Sequence, residues 1–144
     1  KGKNKMRTIK FRAKRLDNKE WTCGYFYEEN DNTYIIENRQ KESILNRNIT
    51  YKVDPKTVCQ FTGLHDKNGK EIYDGDVLAH NGEVIGHIVG GVRGYCFDVV
   101  YANPVSTRTW SLYGVVVDDY EGDVEVVGSI HDKEWQEKLN LKTE

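Results

Sequence analysis

The sequence predicts an all-β fold: a barrel-like sheet of short antiparallel strands closed off by a short C-terminal helix. Three observations point there. Roughly ten short apolar or alternating runs recur at spacings of about 8–12 residues, the rhythm of barrels and sandwiches. Asn, Asp and Gly turn residues separate them, with Asn-Gly at Asn68-Gly69 and again at Asn81-Gly82. Only the tail after Asp132 carries a helical stripe. At 144 residues the chain has a one-domain length, and 38% hydrophobic residues are enough for a core.

The elements follow in chain order. Met6 is the expected natural start, with residues 1–5 a flexible arm or tag remnant and residues 6–144 one β domain. Arg7 to Ala13 alternates, with Ile9, Phe11 and Ala13 on one face and Lys10, Arg12 and Lys14 on the other. Leu16 to Glu20 supplies turn residues and Trp21 to Tyr27 the second strand, so the opening is a hairpin. Thr33 to Ile36 is a further strand. Residues 37–50 form a variable, polar insertion that fits either one helical turn or a long loop. Thr50 to Val53, Thr57 to Phe61, and the hairpin Leu64 to Tyr73 centred on Asn68-Gly69 come next. Asp76 to Ala79 and Val84 to Val89 flank the second Asn-Gly turn. Tyr95 to Tyr101, Trp110 to Val117 and Val124 to Ile130 complete the strands, with a loop opened by Asn103-Pro104 and an acidic turn, Asp118 to Asp123. In the tail, Asp132 is the expected N-cap, Trp135 and Leu139 form the apolar stripe, and Glu134 and Lys138 are spaced to pair.

Charge is uneven. The first twenty residues hold nine Lys and Arg against Asp17 and Glu20, a balance of +7, which leaves −9 on the rest for a total of −2. Such a split marks either a partner surface or two ends that compensate one another, and surface compensation is the default expectation. Cys23, Cys59 and Cys96 are odd in number and widely spaced, with no CxxC, which points to reduced thiols in a cytoplasm. No run approaches the roughly 18 apolar residues of a membrane span, and no apolar stretch follows the Lys-rich N-terminus as a secretory signal requires.

The segment Gln60-Phe61-Thr62-Gly63-Leu64-His65-Asp66-Lys67-Asn68-Gly69-Lys70-Glu71-Ile72-Tyr73-Asp74-Gly75-Asp76-Val77 closely resembles the signature of YopX-type phage and prophage proteins. Lys10-Phe11-Arg12-Ala13, Gly24-Tyr25, Val53-Asp54-Pro55-Lys56-Thr57-Val58 and Glu125-Val126-Val127-Gly128-Ser129-Ile130-His131 are further landmarks of the likeness, which spans residues 6 to about 138. Cys59, Asp74 and Ser129 depart from the residues frequent there. The resemblance implies an all-β, barrel-like domain encoded by a phage or prophage and acting in the cytoplasm of the bacterial host. It brings no established biochemical function.

Read physically, the signature residues Gln60, Gly63, Asp66, Asn68, Gly69, Gly75 and Asp76 are expected to be structural. Asn68-Gly69 closes a hairpin, Gly63 and Gly75 hold φ values that oppose a side chain, and Asp76 bonds amides of the Asp74-Gly75 turn. Phe61, Leu64, Ile72 and Tyr73 are expected in the core. Calcium binding fails on register: counted from Asp66, an EF-hand needs Gly at position 6 and Glu at 12, where Glu71 and Val77 stand. His65, His80, His87 and His131 do not pair with one another or with the cysteines at zinc spacings. Gly90-Gly91-Val92-Arg93-Gly94 lacks the Lys-Ser/Thr and helix of a phosphate loop. There is no nucleophile elbow.

The expectation is therefore a non-catalytic recognition or assembly module without cofactor or metal, binding a host or phage protein or a second copy of itself. Trp110 and the acidic turn are candidate contacts, and unprotected edge strands invite self-pairing. The alternative is a small nucleic-acid-binding β-barrel that uses Lys10, Arg12 and Lys14 on its first strand. A pI near 6.1 and the lack of RNP or cold-shock motifs weigh against it.

Overall fold

The computed structural model describes residues 8–39, 43–45, 47–90, 96–102 and 109–141. Eleven strands and three short helical pieces form among them. The chain divides at Gly63/Leu64 into two units, residues 1–63 and 64–144.

The first unit is an antiparallel sheet in the order β4-β3-β2-β1-β5. Its strands are β1 (Phe11–Lys14), β2 (Trp21–Glu29), β3 (Asn32–Glu37), β4 (Ile49–Val53) and β5 (Cys59–His65), the last running on past the boundary. Alternation in the sequence sets the register: Ala13 sits opposite Thr22, Phe26 opposite Ile35, and Ile35 opposite Tyr51. This brings Ala13, Ile35 and Val53 into one buried cluster, with Phe11, Tyr51 and Val58 packed on it. The Asp54-Pro55-Lys56-Thr57 landmark forms a 3₁₀ turn, Pro55–Thr57, capped by the Asp54 carboxylate, which accepts from the Lys56 N–H at 3.0 Å. Thr57 ties that turn to β1, its hydroxyl accepting from the Lys14 N–H at 2.8 Å and donating to the Asp54 carbonyl at 2.7 Å.

A barrel-like sheet was expected, and among the described residues no closed barrel is found. In the first unit the curl ends at a single bridge, Arg15 to Val53. It is held by the Leu16 N–H to the Lys52 carbonyl (3.0 Å) and the Asp54 N–H to the Lys14 carbonyl (2.9 Å). Pro55, which has no N–H, stops the ladder there. The structure also moves the strand expected from Thr57, which begins only at Cys59. Glu37 and residues 49–50 of the supposed insertion belong to strands; the described residues between them form no helix, and 40–42 and 46 lie outside the description.

The second unit holds β6 (Glu71–Tyr73) and an antiparallel sheet in the order β10-β9-β8-β7-β11. That sheet comprises β7 (Asp76–His80), β8 (Glu83–Gly90), β9 (Phe97–Tyr101), β10 (Thr109–Ser111) and β11 (Glu125–Ser129). The Asn81-Gly82 turn has positive φ at both residues, as a two-residue hairpin requires. Its core gathers Ile72, Leu78, Ile88, Val99 and Val124, all fully out of water, and each large side chain so buried contributes about 1.5–3 kcal/mol. Tyr95, residues 91–94, the Asn103-Pro104 loop and residues 1–7 lie outside the described residues.

The strand expected over Trp110 to Val117 ends at Ser111. A helical segment follows, closed by a bond from the Tyr120 N–H to the Val115 carbonyl at 3.1 Å, the five-residue reach of a π turn. Three consecutive valines favour a strand locally. Burial decides otherwise, because the helix puts Leu112, Val115 and Val116 into the core together. Asp118 and Asp119 are thus the end of this helix, and the turn proper is 120–123.

The tail helix is α1 (Lys133–Lys138). Asp132 precedes it with extended backbone, its side chain making no capping bond, and the Glu134–Lys138 pair forms at 2.7 Å. The indole of Trp135 lies so close over Gly128 of β11 that a Cβ there would collide with its Nε1 and Cδ1. Gly128→Ala is therefore expected to displace Trp135 and lower stability by about 1–3 kcal/mol. An unchanged urea midpoint together with unchanged tryptophan emission would contradict this packing.

Candidate functional site

The signature segment builds a pair of anchors inside the second unit. Asp66 opens its turn, with the Gly69 N–H donating to the Asp66 carbonyl (3.0 Å) and the Asp66 N–H donating to the Lys70 carbonyl (2.8 Å). Only Gly69 of the Asn-Gly pair has positive φ (+81°), so the loop is a three-residue turn with a glycine bulge, not the two-residue primed turn expected. The Asp66 side chain explains the choice. One oxygen accepts from the N–H groups of Asn68 and Lys70, both at 2.9 Å, and the other accepts from the Val126 N–H at 3.0 Å. The Lys67 N–H adds a bond to the Val124 carbonyl at 2.9 Å. The loop is thereby fastened to β11, sixty residues further on. Asp66 is 6% exposed.

At the other end of the segment, Gly75 has φ of +85°, as expected, and bonds both ways. Its N–H donates to the Ile88 carbonyl (2.9 Å), and its carbonyl accepts from the Ile130 N–H (2.8 Å). Asp76 is fully buried and accepts from the Tyr73 N–H, just before the Asp74-Gly75 turn, at 2.8 Å. Gly63 also has positive φ (+90°). Gln60 pairs opposite Phe11 in the first unit, and Phe61, Ile72 and Tyr73 are buried.

A second constellation lies on the first unit. Register puts Lys14 opposite Trp21, Arg12 opposite Cys23, Tyr25 opposite Ile36, and Tyr27 opposite Tyr34, which faces Lys52. One face of the sheet therefore displays Trp21, Tyr25, Tyr27 and Tyr34 in a row, with Tyr25 55% and Tyr27 37% exposed. Tyr27 and Tyr34 stack, centroids 5.1 Å apart and planes 20° from parallel. A groove of about 450 Å³ opens on this face, lined among others by Lys10, Trp21, Cys23, Tyr25, Glu37 and Arg39.

The three cations anticipated from the sequence fare differently. Lys10 and Lys14 are half-buried, Lys10 standing 5.4 Å from the Phe61 ring and Lys14 5.3 Å from Trp21. Arg12 is buried, with its guanidinium 4.4 Å from the Trp21 ring centre, so it supports Trp21 from within the sheet instead of projecting into solvent. Arg39, Lys52 and the tyrosines were not anticipated as a surface. The signal was present in Trp21-x-Cys23-x-Tyr25-x-Tyr27, a period-two row of aromatics with one cysteine among them.

The remaining candidates stay apart. The three cysteines are free thiols, Cys59 buried and the other two exposed. His80 places Nδ1 2.7 Å from the Asp123 carbonyl and its ring 4.8 Å from Tyr120, while burial pushes His87 below the ordinary imidazole range. Among the described residues, no group of three His, Cys, Asp or Glu is placed to hold a metal ion. Trp110 is 52% exposed at the edge strand β10.

The Asp66 anchor responds to pH in a defined direction. Burial opposes its ionisation, but the N–H groups of Val126, Lys70 and Asn68 and the charge of Lys70 outweigh burial and hold the carboxyl below the ordinary range. Its stabilisation is therefore complete above the unfolded-state value near 4 and fades as pH falls through the lower folded-state value. Asp66→Asn is expected to cost about 2–4 kcal/mol at pH 7, because the amide keeps one acceptor oxygen and turns an NH2 toward an N–H that the carboxylate accepted from. Urea titrations at neutral and acid pH should show that penalty shrinking below about pH 4; a penalty constant with pH would rule the charged anchor out.

A family model described as YopX protein matches residues 10–134, most of the chain. No curated protein matches it. No helix among the described residues is long and apolar enough to cross a membrane. The chain, from the basic first strand through the signature turn to the tail helix, belongs to the YopX protein family.

Proposed function

We propose that this chain is a phage-type, non-catalytic recognition module that works in the bacterial cytoplasm, and that the aromatic face of β1–β4 is its contact surface. One observation carries the reading: Trp21, Tyr25, Tyr27 and Tyr34 share a face on which Tyr25 and Tyr27 stand open to solvent. Large aromatic side chains are rigid and lose little entropy when covered, which is why contact surfaces concentrate them. The signature turn is assigned to folding, since Asp66 and Asp76 accept backbone N–H groups and Gly69 and Gly75 bond other backbone groups within the second unit. Family membership supports a phage-type protein of unestablished role. A protein of the host or phage, a second copy of the chain, and nucleic acid are the classes of partner such a face admits.

Site-specific photocrosslinking inside a bacterial host tests the surface. A benzophenone residue replacing Tyr27 is expected to give discrete adducts that the same group at Glu134 on α1 does not give. The class of adduct (chain to itself, to another protein, or to nucleic acid) then reads the partner. Identical adduct patterns at both positions would remove the aromatic face from consideration.

A further inference from the structure

We propose that the aromatic face binds single-stranded nucleic acid, bases stacking on Trp21, Tyr25 and Tyr27 while Lys10, Lys14 and Arg39 hold phosphates; this rests on the face being the recognition surface. Charge and shape favour this occupant over a protein. The aromatics form a row along one strand, and Tyr25 and Tyr27 are two residues apart, a span of about 6.8 Å at the ordinary strand rise, roughly twice the stacked-base rise of about 3.4 Å. Tyr27 is widened into a platform by its stack with Tyr34. Cations flank the row on both sides, Lys14 across from Trp21 on β1 and Lys52 across from Tyr34 on β4. The groove beside Tyr25 adds Lys10 and Arg39 to Trp21, against one carboxylate, Glu37.

An arrangement of π faces between positive side chains suits a ligand that alternates bases with phosphates, and every base offers a face to stack. A duplex hides those faces in its own stack, so the preference falls on single strands. The overall charge of −2 does not oppose this, because the −9 lies beyond residue 20 and the cationic strand belongs to the first twenty residues. A strand engaging about three phosphates here is weakened by salt, with a slope near −0.7 per phosphate.

The test is fluorescence anisotropy of labelled oligo-dT and oligo-U strands and a matched duplex, at about 50 and about 200 mM salt. Single strands are expected to bind more tightly than duplex, and the fourfold rise in salt to weaken them roughly 10- to 20-fold. Tyr25→Ala with Tyr27→Ala should weaken binding on the order of tenfold or more, while Tyr25→Phe with Tyr27→Phe, which keeps the rings, should retain it. Lys10→Ala with Lys14→Ala should flatten the salt slope. Tyr25 and Tyr27 are exposed and Lys10 and Lys14 half-buried, and circular dichroism of each variant separates lost binding from lost folding. No binding at tens of micromolar overturns the proposal, as does binding indifferent to the tyrosine-to-alanine pair. If anisotropy is flat while crosslinks from Tyr27 still give protein or self adducts, the nucleic-acid assignment falls and the surface stands. If both are empty, both fall.

Discussion

The Asp66 carboxylate is the constraint around which the second unit is arranged. A buried charge is tolerable only when its lone pairs are engaged, and here three backbone amides engage them, two from its own turn and one from β11. Local and distant demands are met by one side chain. A neutral residue could close the turn, and a different contact could hold β11, but only an acceptor with two oxygens does both from this position. Gly75 repeats the logic with its backbone, linking the end of β8 at Ile88 to the chain just past β11 at Ile130. The signature is thus one segment fixing two ends of a sheet whose strands are far apart in sequence.

The first unit is organised on another basis. Its core is small, Ala13, Ile35 and Val53 with three half-buried neighbours, and much of β2 is open to solvent. Hydrogen bonding compensates: the Thr57 hydroxyl and the Arg15–Val53 bridge tie the turn after β4 to β1. Buried Arg12 lies against the ring of Trp21 on the same side of the sheet, so a cation occupies a place that an apolar residue takes elsewhere. Beside that pair, Tyr25 and Tyr27 stand exposed on the same face, so the fold leaves aromatic rings there that its core does not use.

Much of this was legible in the sequence, for identifiable reasons. Period-two alternation located β1, and Gly, Asn and Asp turn signals bounded β2 through β4 and β7 through β9. Asn81-Gly82 was read correctly since both residues need positive φ and the hairpin is purely local. Asn68-Gly69 was read as the wrong turn, because the deciding contact comes from Val126, which no local pattern reveals. The valines after Gly114 misled for a related reason: their strand preference lost to the burial of Leu112, Val115 and Val116, whose i, i+3, i+4 spacing was the better guide. Arg12 was read as a solvated cation from alternation alone, which assigns a face but not its depth. The aromatic surface escaped notice because only register brings Tyr34 beside Tyr27.

The Asp66 loop also determines how copies of this molecule avoid one another. β11 is the last strand of its sheet, and its outward-facing Val126 N–H and Val124 carbonyl are the groups to which a neighbouring strand would add. Both are occupied by the loop, and beyond them β11 bulges at Val127, which breaks the regular spacing an incoming strand would need. Growth of open-ended fibrils by strand addition is therefore stopped at that border of the sheet. The same carboxylate that shapes the turn thus also guards the edge of the sheet.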